Sequence, residues 1–214
     1  MRHILAVVGL LLLTACAAPP PTPPTTATEP VPARLDRTML TEREMAPLGY
    51  RPPLDAQPAS PRGSRVLPLL RTCADTPSDS RVDFVNSRPW YPAEARGNPV
   101  HGFHQVVTHY AGGNAAQAVR DLTAQTGCDR FDDETVTYHR GGKQAALDRF
   151  PEVEAQFEAC GEGKVEEYTV HGCAVVLAKG EMATAVTLRA FSAGAATAEL
   201  RALVPHLVTA LSRA

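Results

Sequence analysis

Aromatic side chains are scarce in this sequence: one Trp, five Tyr and six Phe make up 6% of 214 residues. A core of stacked rings is excluded, and small and branched aliphatic side chains must fill the interior instead. Charge of either sign is not in excess. Lys and Arg number 21, Asp and Glu 23, and the formal net charge is −2. That balance gives no electrostatic reason to expect nucleic acid or an anionic lipid surface as a partner. No C-x-x-C occurs, so neither a thioredoxin-type site nor a zinc ribbon is suggested. An HExxH helix, a Gly-rich phosphate loop and a G-x-S-x-G elbow are lacking as well. These absences leave no cofactor implied and no residue marked as catalytic. No stretch approaches the roughly 20 apolar residues that cross a bilayer as a helix.

What is present begins at the N-terminus. Arg2 and His3 form a short polar, basic start, and residues 4–13 are apolar, broken only by Gly9. That run has the length of a signal-peptide core. Leu13, Thr14, Ala15 and Cys16 follow. Small residues before a cysteine suit a signal peptidase, and the pattern resembles the lipobox of bacterial lipoproteins. The resemblance implies cleavage before Cys16 and acylation of its thiol, with two or three acyl chains giving stable anchoring to membrane lipid. Residues 1–15 are thus expected to be a lipoprotein signal peptide, and the chain to sit on the extracytoplasmic face of the cell membrane.

Proline is concentrated next. Twelve of the 19 prolines lie between residues 17 and 62. Residues 17–34 are dominated by Thr, Ala and Pro, a composition with little apolar surface to bury and a preference for extended polyproline II. About 30 such residues reach roughly 90 Å at ~3.1 Å each. Residues 16–64 are therefore read as the lipidated cysteine and a disordered tether. Within them, residues 35–50 are less biased, Thr41 to Glu44 has the start signal of a short helix, and docking on the domain is as consistent with the sequence as free linker.

From residue 65 the composition becomes that of a folded domain. Residues 66–70 are a short apolar stretch, and residues 81–85, 103–110 and 134–140 read as strands. Asn114 is placed as an N-cap with Gln117 in capping-box position, Ala115, Ala118, Val119 and Leu122 share one face, and Gly127 follows as a C-terminal stop. Residues 164–170, 173–178 and 181–191 read as an antiparallel meander, with compact turns at His171-Gly172 and Lys179-Gly180. Met182, Thr184, Val186, Leu188 and Ala190 fall on one face of the last strand. In residues 195–212 a stripe of Leu200, Leu203, Val204, Leu207, Val208 and Leu211 continues across Pro205, which predicts one bent helix. Strands, helix, strands and helix joined by short links predict an α+β fold: an antiparallel sheet packed against two or more helices, residues 65–214.

Cys73, Cys128, Cys160 and Cys173 remain after Cys16. Four cysteines in an exported domain imply two disulfides with three possible connectivities. Cys73 precedes the first strands and Cys128 follows the helix; their union closes a loop of roughly 56 residues, worth on the order of 4 kcal/mol in the chain-entropy model. Cys160 and Cys173 are then left to pair by default, although strands that fold back at His171 would hold them far apart.

The histidines form no local metal motif. On one strand His104 points away from His101 and His109, and those two stand roughly 26 Å apart at ~3.3 Å per residue. Ligation would need His139 or His171 from neighbouring strands, so no metal is expected. Asp132, Asp133 and Glu134 read as a solvated acidic loop. Trp90, in Arg88-Pro-Trp-Tyr, reads as an aromatic core anchor before a cleft wall.

A family resemblance runs through residues 65–214. An early cysteine, an Arg-Pro-Trp, the run VVTHYAGGNAAQAV at 106–119, Cys128, the run VVLAKGEMATAV at 175–186 and an amphipathic last helix resemble the actinobacterial sensor-type lipoproteins related to the extracellular domain of the serine/threonine kinase PknH. The resemblance implies an α+β domain with a concave face that takes an unidentified small-molecule or cell-wall ligand outside the membrane. It carries over no catalytic residue. No kinase domain is present, so signalling would pass through a second envelope protein. The sequence departs from the kinase-type pattern at Cys160 and in having no Trp before Cys128. The lipid anchor is directly testable: globomycin should accumulate an uncleaved precursor, and Cys16→Ala should release the chain to the medium. Retention of that variant on membranes at high salt would overturn the reading.

Overall fold

The computed structural model describes residues 29–53, 62–63, 70–73, 81–94, 101–125, 128–133, 135–140 and 147–214. The sequence expectations at Cys16, residues 66–69, Gly127 and Glu134 lie outside them. The order is α1 (Val31–Thr38), α2 (Glu42–Met45) with a 3-10 turn, β1 (Tyr50–Arg51), β2 (Arg62–Gly63), β3 (Val82–Pro92), β4 (Gly102–Tyr110) and α3 (Ala115–Ala124). β5 (Arg130–Asp132), β6 (Thr137–Arg140), β7 (Ala155–Val165), β8 (Tyr168–Lys179), β9 (Met182–Ala190) and α4 (Ala193–Leu211) complete it. All strands join one antiparallel sheet in the order β1-β3-β4-β9-β8-β7-β6-β5, with β2 also on β3. The fold is α+β.

Two cores sit on opposite faces of this sheet. On the first, α4 presents Leu200, Leu203, Val204, Leu207 and Leu211 to Val175, Leu177, Met182, Val186 and Leu188. The helix runs unbroken through Pro205 and is capped by the Ser192 hydroxyl, which accepts from the Ala195 amide. On the second, Ala115, Ala118, Val119 and Leu122 of α3 meet Ala159, Ala174, Val176 and Ala178. Asn114 precedes α3 without a side-chain cap, and Gln117 bonds Asp121 and Arg120. The expected capping box is not formed there. A capping box stands instead at Thr41 and Glu44, opening α2.

The folded body starts well before residue 65, which corrects the expected boundary. Leu35, Met39, Leu40, Met45 and Tyr50 are all buried in the first core. Proline content hid this. Pro30 and Pro32 flank the first turn of α1, where a missing N–H costs nothing, and the apolar residues of the segment fall between the prolines. Polar bonds fix the segment further: the Leu40 amide donates to Gln105 Oε1, and Asn86 donates to Asp36.

A second correction concerns the β7–β8 turn. Val165 pairs with Tyr168, so Glu166 and Glu167 make the turn and Glu166 adopts φ 53°. His171 and Gly172 lie inside β8. Gly161, Gly163 and Gly172 are glycines for a different reason. A Cβ on Gly172 would stand 2.4 Å from the Tyr138 ring, one on Gly163 2.5 Å from Val136, and one on Gly161 2.5 Å from the His139 carbonyl oxygen. They let β6 lie close against the sheet. The shifted turn also brings Cys160 directly opposite Cys173. These two are bonded, with Cα atoms 4.1 Å apart, and Cys73 is bonded to Cys128.

Leu35 is fully buried. Leu35→Ala is expected to lose about 2–5 kcal/mol of stability, measured by denaturant unfolding. A loss under 0.5 kcal/mol would place α1 outside the cooperative unit.

Candidate functional site

Alternation along the strands separates the residues that serve the first core from those that do not. Trp90, Phe103 and Val107 point into that core, where Trp90 stacks on Phe103 at 6.0 Å and carries the Arg88 guanidinium 5.8 Å from its centroid. Trp90 is an anchor of the interior. Their neighbours point to the second face. There α3 covers β7, β8 and the margin of β9, and β6 covers the glycine positions of β7 and β8. The stretch of β3, β4 and β9 beyond is only partly covered. Ser87, Pro89, Tyr91, His104, Val106 and Thr187 are half-buried around the fully buried Thr108 and Ala185. This is a shallow trough whose floor of hydroxyl and small side chains holds His104 between Pro89 and Thr187, with Tyr91 and Arg189 on either side of Gly102 at one end.

Arg189 closes that end of the trough through a built network. Its Nη2 donates to Asp133 Oδ2 at 2.5 Å and its Nε to the Tyr138 hydroxyl at 3.0 Å, and the hydroxyl donates to Asp133 at 2.8 Å. Asp133 Oδ1 also accepts from the amides of Thr135 and Val136 at 2.7 Å. Burial alone would raise the Asp133 carboxyl, but the bonds and charge from Arg189, with those from Thr135 and Tyr138, outweigh it and hold the group below the usual carboxylate range. Burial raises the Tyr138 hydroxyl, and the Asp133 charge adds to the shift. The expected solvated acidic loop is thus corrected at Asp133, which is a structural acceptor.

Two further polar clusters lie towards the first face. His109 sits between Asp83, at 2.6 Å from Nδ1, and Glu181, at 3.2 Å from Nε2; Arg34 of α1 donates to the same Glu181 oxygen at 3.0 Å. The bonds from Arg34 and then His109 hold the Glu181 carboxyl low. His101 Nε2 lies 3.0 Å from Glu199 of α4, which also accepts from the Tyr50 hydroxyl. Burial, then Glu199, raises that hydroxyl.

In each cluster acids face bases and join two or three elements. His101 and His109 bond carboxylates, and among the described residues no three His, Cys, Asp or Glu side chains are placed to hold a metal ion. The four cysteines of the domain are in disulfides. No described helix is long and apolar enough to cross a membrane. His101, His104 and His109 are not brought together, whereas His139 and His171 are placed on either side of Glu162. Sequence reading missed the Arg189 network; its only trace was a charged residue on the face of β9 otherwise made of Ala183, Ala185 and Thr187.

No family model matches the chain, and no curated protein does. Among solved structures, the chain is distantly similar to the extracellular domain of PknH from Mycobacterium tuberculosis, with a TM-score of 0.48 and 15% identity over 83% of this chain and 98% of that one.

The Asp133 network makes a signed prediction. A depressed carboxyl contributes stability that is present above its ordinary value of 3.8 and is lost as pH falls through the folded value. Thermal unfolding should therefore show a stability loss on acidification below that value. Asp133→Asn should be less stable at neutral pH by about 3 kcal/mol, the order for breaking one side of a buried pair, and should flatten the acid limb. An unchanged acid limb would remove Asp133 from this role.

Proposed function

We propose that the chain is a membrane-anchored extracytoplasmic lipoprotein acting as a non-catalytic ligand-binding or sensor-like module of the cell envelope. The observation that carries the binding reading is the half-covered face of β3, β4 and β9. α4, α1 and α3 cover much of the sheet, while this stretch leaves Ser87, Tyr91, His104 and Thr187 half-buried beside a rigid arginine–carboxylate network. Binding sites carry a few fixed polar groups on a largely preformed surface, and the Arg189 network supplies such groups beside this face.

Location rests on separate support. The residue order before Cys16 is that of a lipobox, and two disulfides suit an oxidising compartment outside the cytoplasm. The anchor would be the acylated Cys16 in membrane lipid. The ligand would be a small molecule or a cell-wall fragment, and an envelope signalling protein would relay its arrival. The rival reading, a hydrolase or metal-dependent enzyme built from dispersed His, Asp and Glu, lacks a nucleophile beside a base among the described residues.

Native mass spectrometry of the chain recovered from its own host tests the reading. A retained small molecule is expected, lost from a Thr187→Trp variant that fills the trough and kept by His206→Ala on α4. A ligand retained equally by Thr187→Trp would refute this face as the site. Turnover of envelope substrates abolished by His101→Ala would favour the enzyme.

A further inference from the structure

One buried histidine has an acid at each of its ring nitrogens. His109 lies in a register row between Phe84 of β3 and Met182 of β9, and its side chain is 6% exposed. Nδ1 stands 2.6 Å from Asp83 Oδ1 and Nε2 stands 3.2 Å from Glu181 Oε2. An irregularity in the strand makes the first contact. The pairing of β3 with β4 shifts between Val82 and Phe84, and Asp83 falls in the bulge. Bulges re-aim side chains, and this one brings the carboxylate to the ring. Glu181 arrives from the β8–β9 turn, and the same oxygen accepts from Arg34 of α1 at 3.0 Å.

We propose that His109 is a proton-operated latch. As imidazolium it ties β3 to the β8–β9 turn and, through Glu181 and Arg34, holds α1 on the sheet; without its proton it releases α1. A neutral imidazole carries one N–H and one lone pair, whereas the imidazolium donates from both nitrogens. Two acceptors are in reach, so only the charged ring serves both. An imidazole changes charge between about pH 5 and 8. The described chain enters the body through α1, so the latch lets acidity set how firmly that entry is held. The cluster lies towards the face opposite the trough, and the inference stands apart from the binding reading above.

Charge gives the direction. With the ring protonated, Asp83 and Glu181 face His109 and Arg34, and the charges match. Without the proton both acids face a single cation, and one carboxylate meets a lone pair on a ring nearly closed to water. An unmet buried polar contact is costly. The shorter contact keeps the remaining N–H on Asp83, so Glu181 is the acid displaced, and Arg34 moves with it. Other charges nearby are committed elsewhere or exposed. Lys179, beyond Met182 in the same row, donates to Ser212; Arg37 pairs with Glu29; Asp36 accepts from Asn86; Arg81, just before β3, is exposed. Bonds from Arg34 and then His109 hold the Glu181 carboxyl low, so it stays charged over the range in which an imidazole titrates.

Hydrogen–deuterium exchange of the full-length chain, followed from about pH 5 to about pH 8 and corrected for intrinsic exchange, reads the latch. Protection of the amides of residues 35–39 should fall as pH rises, by roughly 10-fold, the order for one hydrogen bond to a charged group. The α4 amides should keep theirs. Asp83→Asn offers an amide donor to one ring nitrogen, which leaves the single N–H of a neutral ring for Glu181 and keeps Arg34 in place. In that variant α1 should stay protected across the range. His109→Gln should also remove the pH dependence. Proton NMR should find the His109 ring titrating over the interval in which protection is lost. Protection of α1 that does not change with pH, or that falls as steeply in Asp83→Asn as in the parent, would overturn the latch.

Discussion

The whole arrangement depends on β8 being buried on both sides with unequal bulk. Cys173, Val175 and Leu177 face α4, while Gly172, Ala174, Val176 and Ala178 face α3 and β6. Bulk on one side keeps a long helix at a distance that branched side chains can fill. Smallness on the other draws α3 and the Tyr138 ring almost onto the backbone. Dispersion falls steeply with separation, so a close-packed small-residue face contributes cohesion that its modest side-chain area would not suggest. The alanine-rich, aromatic-poor composition is the sequence expression of that choice.

Legibility followed the strength of local periodicity. The alternating Met182 to Ala190 strand and the α4 stripe from Leu200 to Leu211 were readable because one buried face imposes a strict period. The Lys179-Gly180 turn was readable because Gly180 takes φ 59°. Glu166 occupies the corresponding strained position in the β7–β8 turn without the expected glycine, while the glycines of that hairpin answer to Tyr138. Local sequence holds no sign of a ring arriving from another strand, and the turn was therefore placed five residues late. The same slip made Cys160 look remote from Cys173. Residues 35–50 were set apart as less biased, yet docking and free linker stayed equally open because the proline-rich flanks gave no period to decide between them. Leu35, Met39, Leu40 and Met45 between the prolines carried the better signal.

The candidate site was less legible than the fold, for a physical reason. The trough is defined by where covering elements stop, and no residue in its floor has a chemistry unusual enough to mark it. The polar clusters were equally silent in sequence because each joins residues separated by dozens of positions: Arg34 with Glu181, Tyr50 with Glu199, Asp133 with Arg189. Their charges are matched internally, which directs them to stability.

The route of the chain into the fold has a mechanical side. Residue 29 enters directly into α1, where Glu29 pairs with Arg37, and the segment that follows is tied to the far end of the chain by Arg213, which donates to Glu44 and to the Met39 carbonyl. Both disulfides lie downstream of this clasp. Tension transmitted from upstream of residue 29 is therefore borne first by apolar packing and a few ion pairs, with no covalent crosslink in the load path. A pull on residue 29 would load α1 before the crosslinked strands, because α1 precedes them in the chain and neither disulfide ties it to the sheet.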